Sequence, residues 1–557
     1  MRAIHCVRLA LFVCLPQLAT AQSRAAAVDT TTRTVDRVFD AFRGTDRPGC
    51  ALGVSRNGRV IYEQGYGMSN LETITPIRPA SIFHVASVSK QFTTMSIMLL
   101  ARDHALSIDD NIRKYLPEIP DYYGTPITIR HLMTHTSGLR DQWDLLNLAR
   151  GRFEENRITE ADVMDIVPRQ KALNFTPGAE YLYSNTGFTL LGVIVKRVSG
   201  KSLRDFAAER IFKPIGMANT HFHDDYTMLV PGRTSAYAVG ANGWRVSIPN
   251  FDTYGATSLF TTVGDLLRWE ANFDGFTVGD RATLEQMQTQ AQLTNGDTIP
   301  YGFGLVMSRY RGVREVSHTG SDAGYRAYVG RYPDQGIAIA IACNAATANT
   351  TTLAHGVADV YLGSALAAVD ATPMPQPVPL SRAALERRIG SYLQPTTLQV
   401  LELSLQGGQL ILGRTAGPAL IPLAENRFRV TDQPVELLFG GGEHARMERR
   451  VLTGGRAVPF EWHQPLAGTA GALAGYVGEY YSEELDARYR LTATDSTLLF
   501  RTGTSEPTEG RPVFADSFLS SGGVTFQFSR SGTRVTGFEV TTGRTRRVKF
   551  VRVAPTR

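Results

Sequence analysis

Apolar positions follow a helical period in some segments of the first two thirds of the chain and a strand period in others. Ser87–Ala101 and Thr189–Val198 carry apolar residues at the spacing of one helix face. Cys50–Val54 and Val60–Gly65 are short apolar runs separated by an Asn-Gly turn, which is a strong signal for a β-hairpin. This alternation predicts an α/β domain over residues 28–366.

A different pattern follows this domain. Residues 367–380 contain four prolines, which is typical of a stiff linker. Short strands and turns dominate the rest of the chain, and segments that begin at Ile389 and Val477, 88 residues apart, share a strand pattern. The repeat predicts two small all-β barrel-like domains, at residues 381–466 and 472–557. Chance likeness between strand-rich segments is the alternative.

The N-terminus has the pattern of a signal peptide over residues 1–21. A short basic start precedes the apolar run Leu9–Leu15, and the small residues Ala19 and Ala21 stand at the positions that a signal peptidase reads. The run is too short to span a bilayer. We therefore expect a periplasmic or secreted protein without a membrane span. Lipid attachment at Cys14 is an alternative that the bulky residue before it disfavours.

Composition and charge exclude several classes of protein. Hydrophobic residues form 43% of the chain and charged residues 20%, which excludes wholesale disorder. A net charge of +6 over 557 residues is too weak to indicate a nucleic-acid partner. We interpret the basic residues between Arg544 and Lys549 as a solvated strand face.

Cleavage of the signal peptide would leave Cys50 and Cys343 as the remaining cysteines. Two cysteines cannot form a disulfide framework or a cysteine-rich metal site. Each lies on an apparent strand, so buried free thiols are the first expectation.

Ser87 and Lys90 open one of the predicted helices and form a candidate catalytic pair. Residues three apart lie on one helix face, so the two side chains are expected to meet. Burial lowers the pKa of a lysine, which would allow Lys90 to take a proton from Ser87 as the nucleophile. The helix N-terminus also offers N–H groups to an oxyanion. Alone, this four-residue pattern is weak.

Two further segments carry compatible chemistry. Tyr183-Ser184-Asn185 would bring a phenol that shares the proton and, in Asn185, an amide that donates to a substrate. His318-Thr319-Gly320-Ser321 is predicted to be an edge strand along which a substrate backbone can pair. The N–H groups of Ser321 and Ser87 would together form an oxyanion hole.

These three segments, in this order, resemble the motifs of the serine β-lactamase and penicillin-binding-protein family, in its branch of class C β-lactamases, esterases and D-aminopeptidases. The resemblance covers roughly residues 35–365 and includes further sequence segments such as His131–Leu139. It implies helices packed on an antiparallel five-stranded sheet, with the site between them. It also implies roles for the site residues: nucleophile, Ser87; proton transfer, Lys90 and Tyr183; substrate groove, Asn185, His318, Thr319, Gly320 and Ser321.

One residue departs from the family pattern. β-Lactamases usually carry lysine where His318 stands, and a histidine is uncharged above its pKa near neutrality. Recognition of a carboxylate, and with it of β-lactams, is therefore disfavoured. Esters, amides and peptides without a free carboxylate are favoured.

The resemblance also bears on the cysteines and the other histidines. In the family sheet the first strand runs antiparallel to the last, so a disulfide between Cys50 and Cys343 becomes an alternative to free thiols. His131 and His135 have no metal-ligand spacing around them, and we interpret them as structural. His84 is interpreted as packing behind the site. No metal or other cofactor is expected.

The sequence thus predicts an exported serine hydrolase that acts through a Ser87 acyl-enzyme on a peptide, amide or ester, D-amino-acid peptides included. β-Lactamase or DD-peptidase activity is one alternative, and a catalytically silent peptidoglycan-binding protein is another. Cell-wall association and the oligomeric state stay open.

The two β domains have three competing interpretations: they bind a cell-wall polymer or sugar, they shape the site by placing a loop over it, or they only stabilise the catalytic domain. Similar D-aminopeptidases also carry two barrels, which favours the shaping role. Thr504–Pro512, with Glu506 and Glu509, is then the candidate loop that selects a free amine.

Overall fold

The computed structural model describes residues 30–122, 124–151, 157–367, 376–431, 433–442, 445–452, 457–464, 466 and 470–554. The predicted signal peptide and most of the predicted linker lie outside these residues. No helix of the described chain is both long and apolar enough to cross a membrane.

The first domain is built on one antiparallel sheet of six strands. In spatial order these are Val306–Tyr310, Val313–Asp322, Tyr325–Tyr332, Ile337–Cys343, Cys50–Arg56 and Arg59–Tyr66. The sheet has one strand more than the resemblance implied. The additional strand is Val306–Tyr310 at the edge, whose side chains are partly exposed without an alternating pattern, so its sequence carries no clear strand signal.

Helices cover both faces of this sheet because its central strand alternates large and small apolar residues. Ile337, Ile339 and Ile341 pack toward Thr350–Leu362, while the alanines between them face Val263–Gly275. The helices of the domain lie at residues 30–38, Lys90–Arg102, Ile129–Met133, Gln142–Arg150, Glu160–Ile166, Asn185–Ser199, Leu203–Ala207, Val263–Gly275, Arg281–Met287 and Thr350–Leu362.

Short strands complete the domain. They are Met68–Asn70, Thr75–Pro76, Phe83–His84, Ile158–Thr159, His221–Phe222, Tyr237–Gly240, Gly243–Val246, Phe251–Asp252 and Leu259–Thr261. Leu259–Thr261 pairs with Phe83–His84, immediately before the turn that holds Ser87. This pairing ties the start of the site to the interior of the domain.

Cys50 and Cys343 are directly opposite each other in the sheet register, with Cα atoms 4.0 Å apart, and their sulfurs are bonded. The structure therefore contains the disulfide that was the alternative to two buried free thiols. The bond joins the first and last strands of the domain across 293 residues of chain.

Two β modules of eight antiparallel strands follow. The first contains Gly390–Leu393, Val400–Gln406, Gln409–Leu412, Leu420–Ala424, Arg427–Val430, Val435–Phe439, Met447–Val451 and Val458–His463. The second is a closed barrel of Gly478–Ser482, Ala487–Ala493, Leu498–Thr502, Thr508–Phe514, Ser517–Ser520, Thr525–Ser531, Arg534–Thr541 and Val548–Val553.

Equivalent contacts recur in the two modules. The hydroxyls of Tyr392 and Tyr480, again 88 residues apart, each donate a hydrogen bond to the carbonyl four residues earlier, at 3.0 and 2.8 Å. Short helices at Arg382–Glu386 and Ala470–Leu473 precede the modules. The internal repeat of the sequence therefore has a counterpart in the fold.

We predict that the double substitution Cys50→Ala/Cys343→Ala lowers the free energy of unfolding of the first domain by about 3 to 5 kcal/mol, because the bond closes a long loop of the unfolded chain. Urea denaturation followed by tryptophan fluorescence measures the change. A reductant should shift the wild-type midpoint toward that of the double variant and leave the variant unchanged. A wild-type midpoint that does not respond to reductant would contradict the stabilising role.

Candidate active site

The predicted nucleophile, Ser87, lies in a tight turn between a buried strand and a helix. A single 3-10 turn, Ala86–Ser89, precedes the helix Lys90–Arg102, and Ala86 has a left-handed backbone with φ of +48°. Gly320 packs against this turn so closely that a Cβ atom there would lie 2.2 Å from the carbonyl oxygen of Val85. Glycine is therefore required for the strand Val313–Asp322 to approach Ser87.

Lys90 is fully buried beneath Ser87. Its Nζ lies 3.0 Å from Ser87 Oγ, 3.0 Å from Asn185 Oδ1 and 2.6 Å from the carbonyl oxygen of Ala256. Burial, reinforced by the positive charge of Arg544, holds the pKa of Lys90 well below its usual value. A neutral amine has two N–H donors and one lone pair. Since the amide and carbonyl oxygens only accept, they take both donors, and the lone pair is left for the Ser87 hydroxyl.

Asp141 orients the amide of Asn185. Asp141 Oδ2 accepts hydrogen bonds from Asn185 N at 2.7 Å and from Asn185 Nδ2 at 2.9 Å. Its other oxygen accepts from Trp143 N at the start of the helix Gln142–Arg150. The carboxylate thus turns the amide oxygen of Asn185 toward Lys90. The motif search missed Asp141, although an Asp before an apolar helix is a recognisable N-cap.

Tyr183 lies above Lys90, with its ring centroid 4.9 Å from Nζ. Burial raises the pKa of Tyr183, and the adjacent Ser87 side chain acts in the opposite direction, so the phenol stays protonated at neutral pH. His135 stacks on the Tyr183 ring with centroids 4.0 Å apart and its Nδ1 accepts from Ser184 N. His135 therefore holds the loop in place, which is the structural role expected from the sequence.

His131 and His84 also have structural contacts. His131 forms a capping box with Thr128 at the start of Ile129–Met133. His84 is buried, and its Nε2 lies 3.0 Å from Asp322 Oδ2, which places the histidine behind the wall of the site. Among the residues that the structure describes, no cluster of three His, Cys, Asp or Glu side chains could hold a metal ion.

The strand Val313–Asp322 is second in the sheet and extends past the edge strand Val306–Tyr310 beside Ser87, so the predicted free edge exists only from His318 onward. Its pairing with Val306–Tyr310 ends at Ser317, and its last five residues, from His318 onward, continue along the site. Thr319 and Ser321 are exposed in this extension. An extended substrate can therefore pair with this strand edge.

His318 is buried and uncharged. Burial lowers the pKa of His318 to about 4. Its Nδ1 lies 2.6 Å from the carbonyl oxygen of Thr319, which only accepts, so Nδ1 carries the proton. Nε2 then accepts a hydrogen bond from the hydroxyl of Tyr301 at 3.0 Å. His318 supplies no cation to the site at neutral pH.

These side chains surround one open cavity of about 330 Å³. All the predicted site residues except Lys90 and Gly320 line it, and those two lie directly beneath the wall. The complete lining is Ser87, Trp143, Tyr183, Asn185, Thr257, His318, Thr319, Ser321, Asp322 and Arg544.

Arg544 reaches this cavity from the second β module, which the sequence analysis did not foresee. The loop at residues 542–547 joins the last two strands of the barrel and lies on the α/β domain. The interpretation of this basic run as a solvated strand face is therefore wrong for Arg544, Arg546 and Arg547, whereas Lys549 is exposed on the last strand. Nothing in the local pattern distinguishes it, because its partners lie about 400 residues earlier in the chain.

The loop at 542–547 is held by buried polar contacts. The guanidinium of Arg140 forms an ion pair of 2.6 Å with Glu484 of the barrel, and both side chains are almost fully buried. Arg140 also donates to the backbone carbonyls of Arg546 and Arg547, each at 3.0 Å. Because charges buried this deeply are costly to separate, the contact fixes the barrel against the site.

The hypothesis that Thr504–Pro512 enters the site is wrong. Glu506 lines a separate cavity next to Gly151, and Glu509 lies on a barrel strand beside a cavity that includes Arg414. From the sequence, the segment Thr504–Pro512 and the loop at 542–547 could both reach the site, because each contains a turn between strands. The loop at 542–547 reaches it because this loop contacts the α/β domain.

Comparison with known proteins agrees with this geometry. Residues 35–361 match the beta-lactamase family. The chain belongs to the beta-lactamase family. Its sequence is 30% identical over 420 residues to penicillin-binding protein 4* of Bacillus subtilis, a match that covers 70% of this chain and 90% of that protein. It is 25% identical to the D-aminopeptidase of Cereibacter sphaeroides over 545 residues, covering 94% of this chain and 99% of that protein.

Two solved structures share the fold. The octameric penicillin-binding protein homologue from Pyrococcus abyssi superposes with a TM-score of 0.53 at 20% identity, covering 87% of this chain and 99% of that one. The D-amino acid amidase from Ochrobactrum anthropi gives a TM-score of 0.51 at 21% identity, covering 60% and 99%. The chain belongs to the beta-lactamase family, and several of its homologues are named D-aminopeptidase. The protein is therefore a serine hydrolase.

We predict that His318 makes stability depend on pH. Its pKa is about 4 in the folded protein and about 6.5 in an unfolded chain, so the unfolded state binds more protons between these values. Stability is therefore lost as the pH falls from about 6.5 to 4, by on the order of 3 kcal/mol from this group.

The difference in Tm between pH 7.5 and pH 4.5 measures this effect. It should shrink in His318→Gln, whose amide oxygen can still accept from Tyr301. His104→Gln, at an exposed histidine, serves as the control and should leave the difference unchanged. Equal differences in the wild type and in His318→Gln would show that His318 does not titrate in this way.

Proposed function

We propose that the protein is an exported serine hydrolase that forms an acyl-enzyme on Ser87 and cleaves amides or esters, with D-amino-acid peptides as its main substrate class. The geometry of Lys90 carries this proposal, because a buried amine with both donors occupied presents its lone pair to the Ser87 hydroxyl. Export rests on the signal-peptide pattern of residues 1–21.

The reaction begins with proton transfer. Lys90 takes the proton from Ser87, and Ser87 Oγ attacks the substrate carbonyl. The N–H groups of Ser87 and Ser321 receive the oxyanion. Tyr183, which lies over the amine, delivers its proton to the leaving atom as the carbonyl–nitrogen or carbonyl–oxygen bond breaks, and it recovers a proton from Lys90, so that both groups return to their starting states. Water then attacks the acyl carbonyl, and its proton passes through Tyr183 and Lys90 to Ser87 Oγ. The bond between Ser87 Oγ and the acyl carbon breaks, and the acyl group leaves as an acid.

The shape of the site and the relatives both support this substrate class. The strand edge that begins at His318 is suited to an extended peptide backbone. The D-aminopeptidase of Cereibacter sphaeroides matches nearly the whole chain, both β modules included, which supports a related peptidase activity. A silent binding protein would not require a buried amine directed at a serine, so we favour catalysis.

We predict that a fluorophosphonate probe labels the wild-type protein and does not label Ser87→Ala. Lys90→Met should slow labelling by roughly 10²- to 10⁴-fold, because a positioned general base contributes about that factor. Lys114→Met removes an exposed lysine of the same domain and should label at the wild-type rate. The adduct is located by mass spectrometry of the labelled peptide.

Turnover identifies the acyl class. D-Alanine p-nitroanilide, a p-nitrophenyl ester and a chromogenic cephalosporin are compared, and we expect the anilide and the ester to be cleaved faster than the cephalosporin. Labelling of Ser87→Ala at the wild-type rate would refute Ser87 as the nucleophile. Preferential cleavage of the cephalosporin would instead identify a β-lactamase.

A further inference from the structure

Arg544 places an unpaired positive charge in the cavity of the nucleophile. Its guanidinium carbon lies 4.9 Å from the ring centroid of Tyr183, and within the described parts of the chain no carboxylate forms an ion pair with it. The next two arginines of the loop differ, because Arg546 pairs with Glu180 at 3.0 Å and Arg547 with Glu539 at 2.9 Å. Arg544 alone of these three faces the cavity.

The backbone of Arg544 is fixed on both sides of the residue. Its N–H donates to Asp144 Oδ2 at 3.0 Å, and its carbonyl oxygen accepts from Asn174 Nδ2 at 2.9 Å. Both partners belong to the α/β domain. The contacts that dock the barrel on the α/β domain therefore also position the Arg544 side chain at the cavity. A side chain whose backbone is fixed in this way is preorganised to bind a ligand.

The other charged groups of the cavity are already occupied. Lys90 is buried below Ser87, and His318 is uncharged. Asp322 Oδ2 accepts a hydrogen bond from the hydroxyl of Thr257 at 2.9 Å and lies 3.0 Å from His84 Nε2. Of the positively charged side chains that line the cavity in the described structure, Arg544 is therefore the one that a ligand can contact. A guanidinium binds a carboxylate through paired N–H donors, which makes an anionic ligand group its natural partner.

We propose that Arg544 binds a free carboxylate on the leaving group of the substrate, so that the preferred substrates are peptides whose released residue carries its own C-terminal carboxylate. The assignment of the side rests on the proposed function, in which Tyr183 delivers the proton to the leaving atom. Arg544 lies on the ring of Tyr183 and hence next to the departing group. The C-terminal barrel thus supplies the cation that His318 does not.

The test compares two substrates with the same scissile bond. D-Alanyl-D-alanine releases a residue with a carboxylate, and D-alanyl-D-alaninamide releases one without it. In the full-length wild-type protein kcat/KM should be about 10- to 100-fold higher for the acid, as expected for a charge-assisted hydrogen-bonded pair. The ratio should fall to about one in Arg544→Gln and below one in Arg544→Glu.

Arg534→Gln is the matched control, because it removes an exposed arginine from the same barrel, and it should keep the wild-type ratio. D-Alanine p-nitroanilide measures the proposed function independently of any carboxylate. If the anilide is cleaved while acid and amide react equally, or if Arg544→Gln keeps the preference, the assignment of Arg544 is overturned and the proposed function stands. If none of the three is cleaved and Ser87 is not labelled, both are overturned.

Discussion

One constraint governs the site. The amine of Lys90 is buried and has three hydrogen-bonding neighbours: two carbonyl-type acceptors and the hydroxyl of Ser87. Desolvation favours the neutral form of Lys90, and the oxygens of Asn185 and Ala256 take its two N–H groups. The remaining lone pair meets Ser87. Each surrounding element serves this arrangement: the helix that begins at Lys90, the loop that brings Tyr183, and Asp141, which fixes the direction of the Asn185 amide.

The same constraint connects the α/β domain to the barrel at the C-terminus. The positive charge of Arg544 acts on Lys90 in the same direction as burial, and the buried pair of Arg140 and Glu484 keeps the loop that carries Arg544 in place. The site is therefore a property of the whole chain and not of the family domain alone.

Sequence patterns were sufficient wherever the relevant contact is local. The spacing of Ser87 and Lys90 places them on one helix face, and Asn57-Gly58 forms the predicted hairpin with both residues at positive φ. The edge strand Val306–Tyr310 was missed because its side chains do not alternate. The position of Arg544 was missed because it depends on contact between the barrel and the α/β domain, which forms only after both domains have folded. The hydrophobic pattern of the sequence gives no information about such a contact.

Titration of the Lys90 side chain by NMR tests the central claim most directly. The chain contains only seven lysines, so selective ¹³Cε labelling gives few signals, and the signal missing from Lys90→Met identifies this residue. We predict that at pH 8 it has the chemical shift of a neutral amine. A Lys90 signal that at pH 8 has the chemical shift of a charged ammonium group would contradict the account.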